Sequence, residues 1–490
     1  MRAGRGKAGE PCRPARTVPP GTGAVLRFPQ AQMPRRTARP VKPVKLPLLL
    51  AAALLAPGAA GAVTDGERFA VYQEFRTAFD AHRYPEALPL AEKLVAMTQE
   101  QYGDSDRALI NPLSDLGTTQ YRLRDYKSAE DTFLKSVKIA TGTGNGAAAD
   151  RQLLRPLHGL GATYYATQQY EDASLTLQRA LDLSRNLDGL ENPGQLAILE
   201  PLIATLVSLE RHSEVDREYQ YEVRVAESAF GSNDLRVMRP LDSYAHWLEH
   251  IGRYPGARAQ YARELTVAES AAGRTPILVI APLRGIARSY RLEATNGAED
   301  DAESSADPFA SPGLGFVRQR DSHALNPDGE RALTIALHTI DKIQPLDHRT
   351  RGLTLMELGD WYLCANQQDK ALGQYRDAWK ELTQSGSTEP LTAPRLLAYR
   401  APAASASRSP LTERANTDEH TVEATFVVTR DGHTSGITTA SSDATPSQQK
   451  IVLAAVKRAR YAPRMENGEP VETQGVKLSE KLLSKRPRGT

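Results

Sequence analysis

A four-residue phrase, Tyr-x-x-Ala, returns through this chain at almost fixed spacing. It stands at Tyr84/Ala87, Tyr126/Ala129, Tyr170/Ala173 and Tyr254/Ala257, with His212/Val215 filling the slot between the last two. The steps are 42, 44, 42 and 42 residues. A second phrase, Pro-Leu, runs about 14 residues upstream at Pro112, Pro156 and Pro240, with Pro201 and Pro282 as looser members. A period of roughly 20–50 residues means stacked supersecondary units, each of which buries a face only against its neighbours. The chain is therefore expected to form an elongated array, and arrays of this kind are surfaces for holding partners.

Within each period the apolar spacing is helical. One unit runs Leu116-Gly117, Tyr121, Tyr126, Ala129, Phe133; the next runs Leu160-Gly161, Tyr164, Tyr170, Ala173, Leu177, Ala180; a late one runs Leu358-Gly359, Tyr362, Ala371, Tyr375, Ala378. Small residues at a helix crossing let two antiparallel helices approach closely while Tyr, Phe and Leu fill the flanks. These units resemble tetratricopeptide repeats. The 42-residue step exceeds the roughly 34 usual for that family, and the added length follows the second helix, as in the long-helix subclass known from kinesin light chains. Glycines such as Gly103 and Gly231 suit a left-handed helix stop there, with Asp or Ser nearby to start the next helix. The pattern gives about seven hairpins between Gly66 and Ser385. The hairpin over 197–226 is degenerate. The one beginning at Pro282 is interrupted, its second helix resuming at Glu330 with Ala332 in the Ala slot.

Charge divides the chain unevenly. Residues 1–62 hold 11 Lys/Arg and one acid, Glu10, whereas residues 63–490 hold 50 Lys/Arg and 58 Asp/Glu. A mildly acidic body argues against nucleic acid as the partner. Arg35, Arg36, Arg39, Lys42 and Lys45 precede the apolar run Leu46–Ala56 and then Ala60-Gly61-Ala62, the order of a secretory signal peptide cleaved near Ala62/Val63. Residues 1–32 read as an over-extended start and 33–62 as the signal. The rival reading is an uncleaved inner-membrane anchor facing the periplasm; with cleavage, no stable membrane span is expected. Cys12 lies upstream of that signal, which leaves Cys364 as the one thiol beyond it, expected as a small buried helix residue.

The solenoid is expected over 63–383. An acidic insertion at 296–327 carries Glu299, Asp300, Asp301, Glu303 and Asp307 among Ser, Pro and Gly, a composition too polar to order itself. Residues 384–419, rich in Ala, Ser, Pro and Thr, read as a linker. The period then switches to two. Val422, Ala424, Phe426 and Val428 alternate with polar residues, Asp431-Gly432 turns the chain towards Ile437, Pro446–Arg460 is helical, and a final strand runs through Val471, Val476 and Leu478. The Phe426-x-Val428-x-x-Asp431-Gly432 and Arg460-Tyr461-x-Pro463…Asn467-Gly468-x-Pro470-Val471 segments resemble the C-terminal domain of TonB, over 420–484 with a tail at 485–490. That resemblance implies strand addition at a sheet edge and contact with an envelope or outer-membrane protein. The expected fold class is mainly α: a solenoid of about seven hairpins followed by a small β-β-α-β domain.

His246-Trp247-Leu248-Glu249-His250 spells an inverted zinc-protease motif, since residues four apart share a helix face. The repeat register around Gly252, Tyr254, Ala257 and Tyr261 instead makes these residues groove lining, and no third ligand follows. No catalytic, cofactor or metal site is therefore expected. The partner-binding candidates lining the groove are Tyr121, Arg122, Tyr165, His246, Glu249, His250 and Arg291, a mix of aromatic and both charge signs that suits a protein or peptide partner. The sequence reading is a non-enzymatic adaptor exported to the periplasm of a Gram-negative bacterium, with a TonB-type energy transducer for outer-membrane transport as the alternative.

Overall fold

The computed structural model describes residues 64–142, 147–271, 275–296, 325–402, 404–405, 417–441 and 443–485. The over-extended start, the signal segment, nearly all of the acidic insertion and the tail beyond 485 lie outside the described residues.

Seven helical hairpins follow one another: α1 (Asp65–Asp80) with α2 (Tyr84–Tyr102), α3 (Ile110–Arg122) with α4 (Tyr126–Gly142), and α5 (Ala147–Ala166) with α6 (Tyr170–Asp188). The array continues with α7 (Leu196–Ser208) and α8 (His212–Phe230), then α9 (Met238–His250) and α10 (Tyr254–Ala271). The interrupted hairpin pairs α11 (Ile280–Asn296) with α12 (Pro327–Asp341), and α13 (His348–Cys364) with α14 (Gln368–Gln384) closes the series. The recurring phrase marks the first turn of five second helices, α2, α4, α6, α8 and α10. Its Tyr or His is the first residue, and its Ala or Val, at 87, 129, 173, 215 and 257, has no exposed surface.

Each tight turn before a second helix is built the same way. Two residues ahead of α2, α4, α6, α8, α10 and α14 the backbone takes a positive φ, at His82, Arg124, Gln168, Glu210, Gly252 and Asn366. The next N–H then reaches back five residues, as in Arg83 to Ala78 and Asp125 to Gln120, which satisfies the last carbonyls of the first helix. Only one of the six turns uses glycine. At the other end of the hairpin, Gly103, Gly189 and Gly231 have φ of 87°, 86° and 92° with extended ψ. They are not the left-handed helical stop expected from sequence but a mirror-extended conformation essentially reserved for glycine. Asp106, Asn192 and Asp234 then cap a short 3-10 turn into the next first helix.

Close packing follows the small residues. The ring of Phe133 lies between α3 and α5, so that a Cβ at Gly117 would stand 2.9 Å from it and one at Gly159 only 2.3 Å. First helices of successive hairpins also touch one another (α3 with α5, α5 with α7, α9 with α11, α11 with α13), while second helices approach less closely. The array thus curves with its first helices on the inner side.

The C-terminal region is strand-rich. β1 (Arg395–Ala398) pairs with β4 (Arg460–Ala462), and β2 (Thr417–Val428) lies between β3 (Thr434–Ala440) and β7 (Thr473–Lys485) in an antiparallel sheet. α15 (Pro446–Arg458) covers one face. Val422, Ala424, Phe426 and Val428 all point into its core with Val452, Val456 and Tyr461, as the period-two alternation requires. The expected final strand is divided: β5 (Arg464–Glu466) and β6 (Glu469–Val471) form a hairpin over Asn467-Gly468, and β7 begins afresh at Thr473.

Part of the stretch read as a linker is packed structure. Leu391 and Leu397 are buried together with Leu355, Leu363, Tyr375 and Leu382 of the last hairpin and with Ala462 and Met465 of the strand region. The last repeat and the C-terminal domain share one core, and the described residues fall in one compact unit.

Candidate functional site

The inner surface is made by the first helices, and the repeat register says which side chains it presents. Tyr121, Tyr165, Val207, Glu249 and Arg291 occupy one equivalent position; Thr118, Ala162, Ala204, His246, Arg288 and Asp360 occupy another, just after the Leu-Gly pair in α3, α5 and α13.

Towards the N-terminal end the surface is aromatic. Tyr121 and Tyr165 are half-buried and pack edge-on or tilted against Tyr126 and Tyr170, with ring centroids 5.6 and 5.8 Å apart. Burial raises the pKa of the Tyr121 phenol. Arg122 is exposed beside it. Further towards the end, Phe69 (61% exposed) and Tyr72 border a cavity of about 750 Å³ that reaches Asn111, Asp115 and Arg155. Arg155 pairs with Asp115 at 2.7 Å, tying α5 to α3.

The middle of the surface is ionic. His246 and His250 are exposed on α9, but Glu249 is buried and does not line an open groove: Arg288 of α11 donates to its Oε2 at 2.9 Å. The same guanidinium donates to Tyr261 Oη at 2.7 Å and to His246 Nε2 at 3.0 Å. His246 therefore carries its proton on Nδ1, which faces the Asp242 carbonyl at 2.9 Å and its carboxylate at 3.2 Å, and Asp242 raises the imidazole pKa. The Arg288 guanidinium engages both His246 Nε2, an imidazole nitrogen that the inverted zinc motif would need for a metal, and Glu249, the carboxylate it would need for proton transfer. His250 instead lies tilted against Trp247, with ring centroids 5.9 Å apart. Among the described residues no group of three or more His, Cys, Asp or Glu is arranged to hold a metal.

Behind this surface two acids sit one repeat apart on second helices. Burial pushes Glu222 up to about 7, with Glu200 adding to the shift and Arg239 opposing it. Burial likewise pushes Glu264 up to about 8, with Asp242 adding and His246 opposing. Glu264 is 3% exposed, and its Oε2 has no hydrogen-bond partner among the described residues.

At the C-terminal end the inner surface already holds an extended segment, the chain's own β1. Arg291 donates to the Leu397 carbonyl at 3.1 Å. Arg395 forks onto Asp360 with contacts of 2.7 and 3.0 Å, and Tyr375 donates to the same carboxylate at 2.8 Å. Asp360 is 2% exposed. Asp360 and Arg395 were not singled out from sequence. Asp360 was reachable, because it directly follows Leu358-Gly359 at the position of His246 and Arg288. Arg395 was not, because nothing local distinguishes it within a Pro- and Ala-rich stretch. Burial also pushes the Cys364 thiol up to about 11, consistent with a packed and unreactive group.

Comparisons with known proteins agree with the two resemblances. Residues 76–142 match the tetratricopeptide repeat family, and residues 410–479 match the family of the Gram-negative bacterial TonB protein C-terminal. No curated protein sequence matches the chain. Among solved structures, a putative kinesin light chain with nearly identical TPR-like repeats from Podosopora anserina is 16% identical over 42% of this chain and 96% of its own, with a TM-score of 0.38. BtubC from P. vanneervenii is 13% identical over 66% and 94%, with a TM-score of 0.34. YrrB, described as a TPR protein with an unusual peptide-binding site, is 14% identical over 51% and 93%, with a TM-score of 0.30. The chain carries tetratricopeptide repeats and a TonB-like C-terminal domain.

Proposed function

We propose that this tetratricopeptide array with its TonB-like domain is an exported, non-enzymatic adaptor. It would grip an extended protein or peptide segment on its inner surface and make a second protein contact through the C-terminal sheet. One observation carries the reading: Arg291, at a groove position of the repeat register, holds the backbone carbonyl of an extended segment, while Asp360 holds that segment's arginine. The same surface is open around Tyr121, Arg122 and Tyr165. Repeats of this family typically serve as interaction scaffolds, and the TonB-like domain supports a Gram-negative periplasmic setting.

The test is site-specific photocrosslinking in cells. A photoreactive residue at Tyr121 or Tyr165 should capture a polypeptide, whereas one at exposed Lys135 on the second helix α4 should not. Equal capture from both faces, or none from the groove, sinks the adaptor reading.

The TonB-like domain keeps the energy-transducer reading in view. No helix among the described residues is long and apolar enough to cross a membrane. Cell fractionation separates the two readings: release of a protein beginning near Val63 favours the adaptor, and retention of residues 46–63 as an anchor favours the transducer.

A further inference from the structure

The β2–β3–β7 sheet has two edges, and the chain itself covers part of one. Residues 399–402 and 404–405 follow β1 and reach the outer edge of β7. The Leu483 N–H donates to the Ala404 carbonyl at 2.7 Å, and Ser405 pairs with Leu482 as an isolated antiparallel bridge. Glu480 anchors the segment twice: Tyr399 Oη donates to its Oε2 at 2.6 Å, and Ser405 Oγ donates to its Oε1. Glu480 is 6% exposed and Ser405 has no exposed surface. α15 lies against β3 and β2, while Tyr399 packs against the same core, which includes Val422 and Leu482. Burial, reinforced by Glu480, raises the pKa of the Tyr399 phenol, which keeps it a donor to that carboxylate.

Because Leu483 turns its N–H away from β2, strand alternation turns the backbone groups of Lys481, Ser479 and Lys477 outward as well. Gly475, with a φ of 69°, interrupts the alternation beyond them. The row from 477 to 483 could carry a full ladder with an extended segment, whereas residues 404–405 meet its end as an isolated bridge. A second copy of this edge is the wrong occupant. Antiparallel pairing about Ser479 would set Lys477 against Lys481, like charges directly opposite one another. A strand of another protein that brings an acidic side chain towards those lysines fits instead.

We propose that residues 399–405 act as an autoinhibitory strap, which closes the β7 edge against a partner's strand until that strand displaces it. This rests on the reading of the C-terminal sheet as a second protein contact and adds its regulation. A partner strand that reaches Leu483 must replace Ala404 as the acceptor of that N–H, so strap and partner cannot bind there together. The exchange trades an isolated bridge and two side-chain anchors for a ladder along 477–483.

The probe is a dye-labelled synthetic peptide with the sequence of residues 399–406, titrated against the full chain by fluorescence anisotropy. In the unaltered protein the strap holds the edge, and the peptide should bind poorly. Tyr399→Phe with Ser405→Ala removes both anchors from the chain but not from the peptide. Binding should then tighten about tenfold or more, the change expected of one hydrogen bond to a charged acceptor. Hydrogen exchange at the Leu483 amide should quicken in the same variant. Adding Ala404→Cys and Leu483→Cys, an opposed pair that a disulfide can bridge, should abolish the gain when oxidised and restore it on reduction. Ser405→Ala alone, which leaves Tyr399 on Glu480, carries the comparison should the double change fail to melt cooperatively. Equal peptide binding by the unaltered and loosened chains overturns the strap but leaves the edge able to take a strand, so the second contact stands. A Leu483 amide that stays protected overturns the strap as well. Faster exchange without peptide binding overturns both the strap and β7 as the contact, and crosslinking from Tyr121 and Tyr165 then judges the groove on its own.

Discussion

Asp360 shows how a single carboxylate can fasten two parts of a chain. It is almost fully buried and accepts from Arg395 and Tyr375. Removing one partner of a buried pair leaves the other charge unmatched, which costs roughly 3–5 kcal/mol. Asp360→Ala should therefore lower the stability measured by chemical denaturation by about that amount, and a loss below about 1 kcal/mol would mean that water already reaches Arg395. Glu264 gives a prediction with a definite sign in pH. Its carboxyl is held at about 8 in the folded state against an ordinary 4.5. Between those values the folded chain keeps a proton that the unfolded chain has lost, so stability falls as pH rises through the window and levels off above about 8. Glu264→Gln should flatten that slope when denaturation at about pH 6 is compared with about pH 9. At this scale the sequence was partly legible. The repeat register located Tyr121, Tyr165 and Arg291 on first helices, but it could not show that Glu249 is taken by Arg288, because that arginine lies 39 residues away.

Helix starts were readable because one local phrase fixes them, and the turns before them were not. A residue two before six of the second helices adopts positive φ, yet its identity varies from His82 to Asn366. Non-glycine residues pay a steric cost of roughly 1 kcal/mol there. Glu210→Gly should therefore raise the melting temperature slightly, worth up to about 1 kcal/mol. A melting temperature that falls instead would show that the Glu210 side chain contributes contacts outweighing the backbone relief. The converse holds where the helices cross. A Cβ at Gly359 would stand 2.7 Å from the buried Tyr375 ring, so Gly359→Ala should cost about 1–3 kcal/mol in the same assay. The strand alternation of β2 was likewise visible because period two is local. β1 was not: four residues of Arg-Leu-Leu-Ala become a strand only through β4, Arg291 and Asp360, all distant in sequence.

Among the described residues the last repeat and the C-terminal domain are packed together rather than joined by a free linker, although the sequence suggested one. Arg376 of α14 forks onto Glu469, Gln368 donates to the Asp431 carbonyl, and Ala462 and Met465 complete the core of the last hairpin. Truncation after residue 419 should leave most of the helical signal in circular dichroism while loosening α13 and α14, seen as faster hydrogen exchange at Leu363 and Tyr375. Unchanged protection there would mean that the array terminates unaided. Solenoids need an end unit to cover their last apolar face, and here the C-terminal domain serves as that unit.

The shared core also sets a geometric rule for any partner that uses both surfaces. Because described residues of the last hairpin and of the C-terminal region share a core, a partner that engaged both the inner face and the β2–β3–β7 sheet would have to present its epitopes at a fixed spacing. A flexible tether would tolerate many spacings at a modest effective concentration; a fixed one gives strong avidity to a matching ligand and none to the others. Selectivity for a bivalent partner would then reside in the distance between two weak contacts as much as in either contact alone.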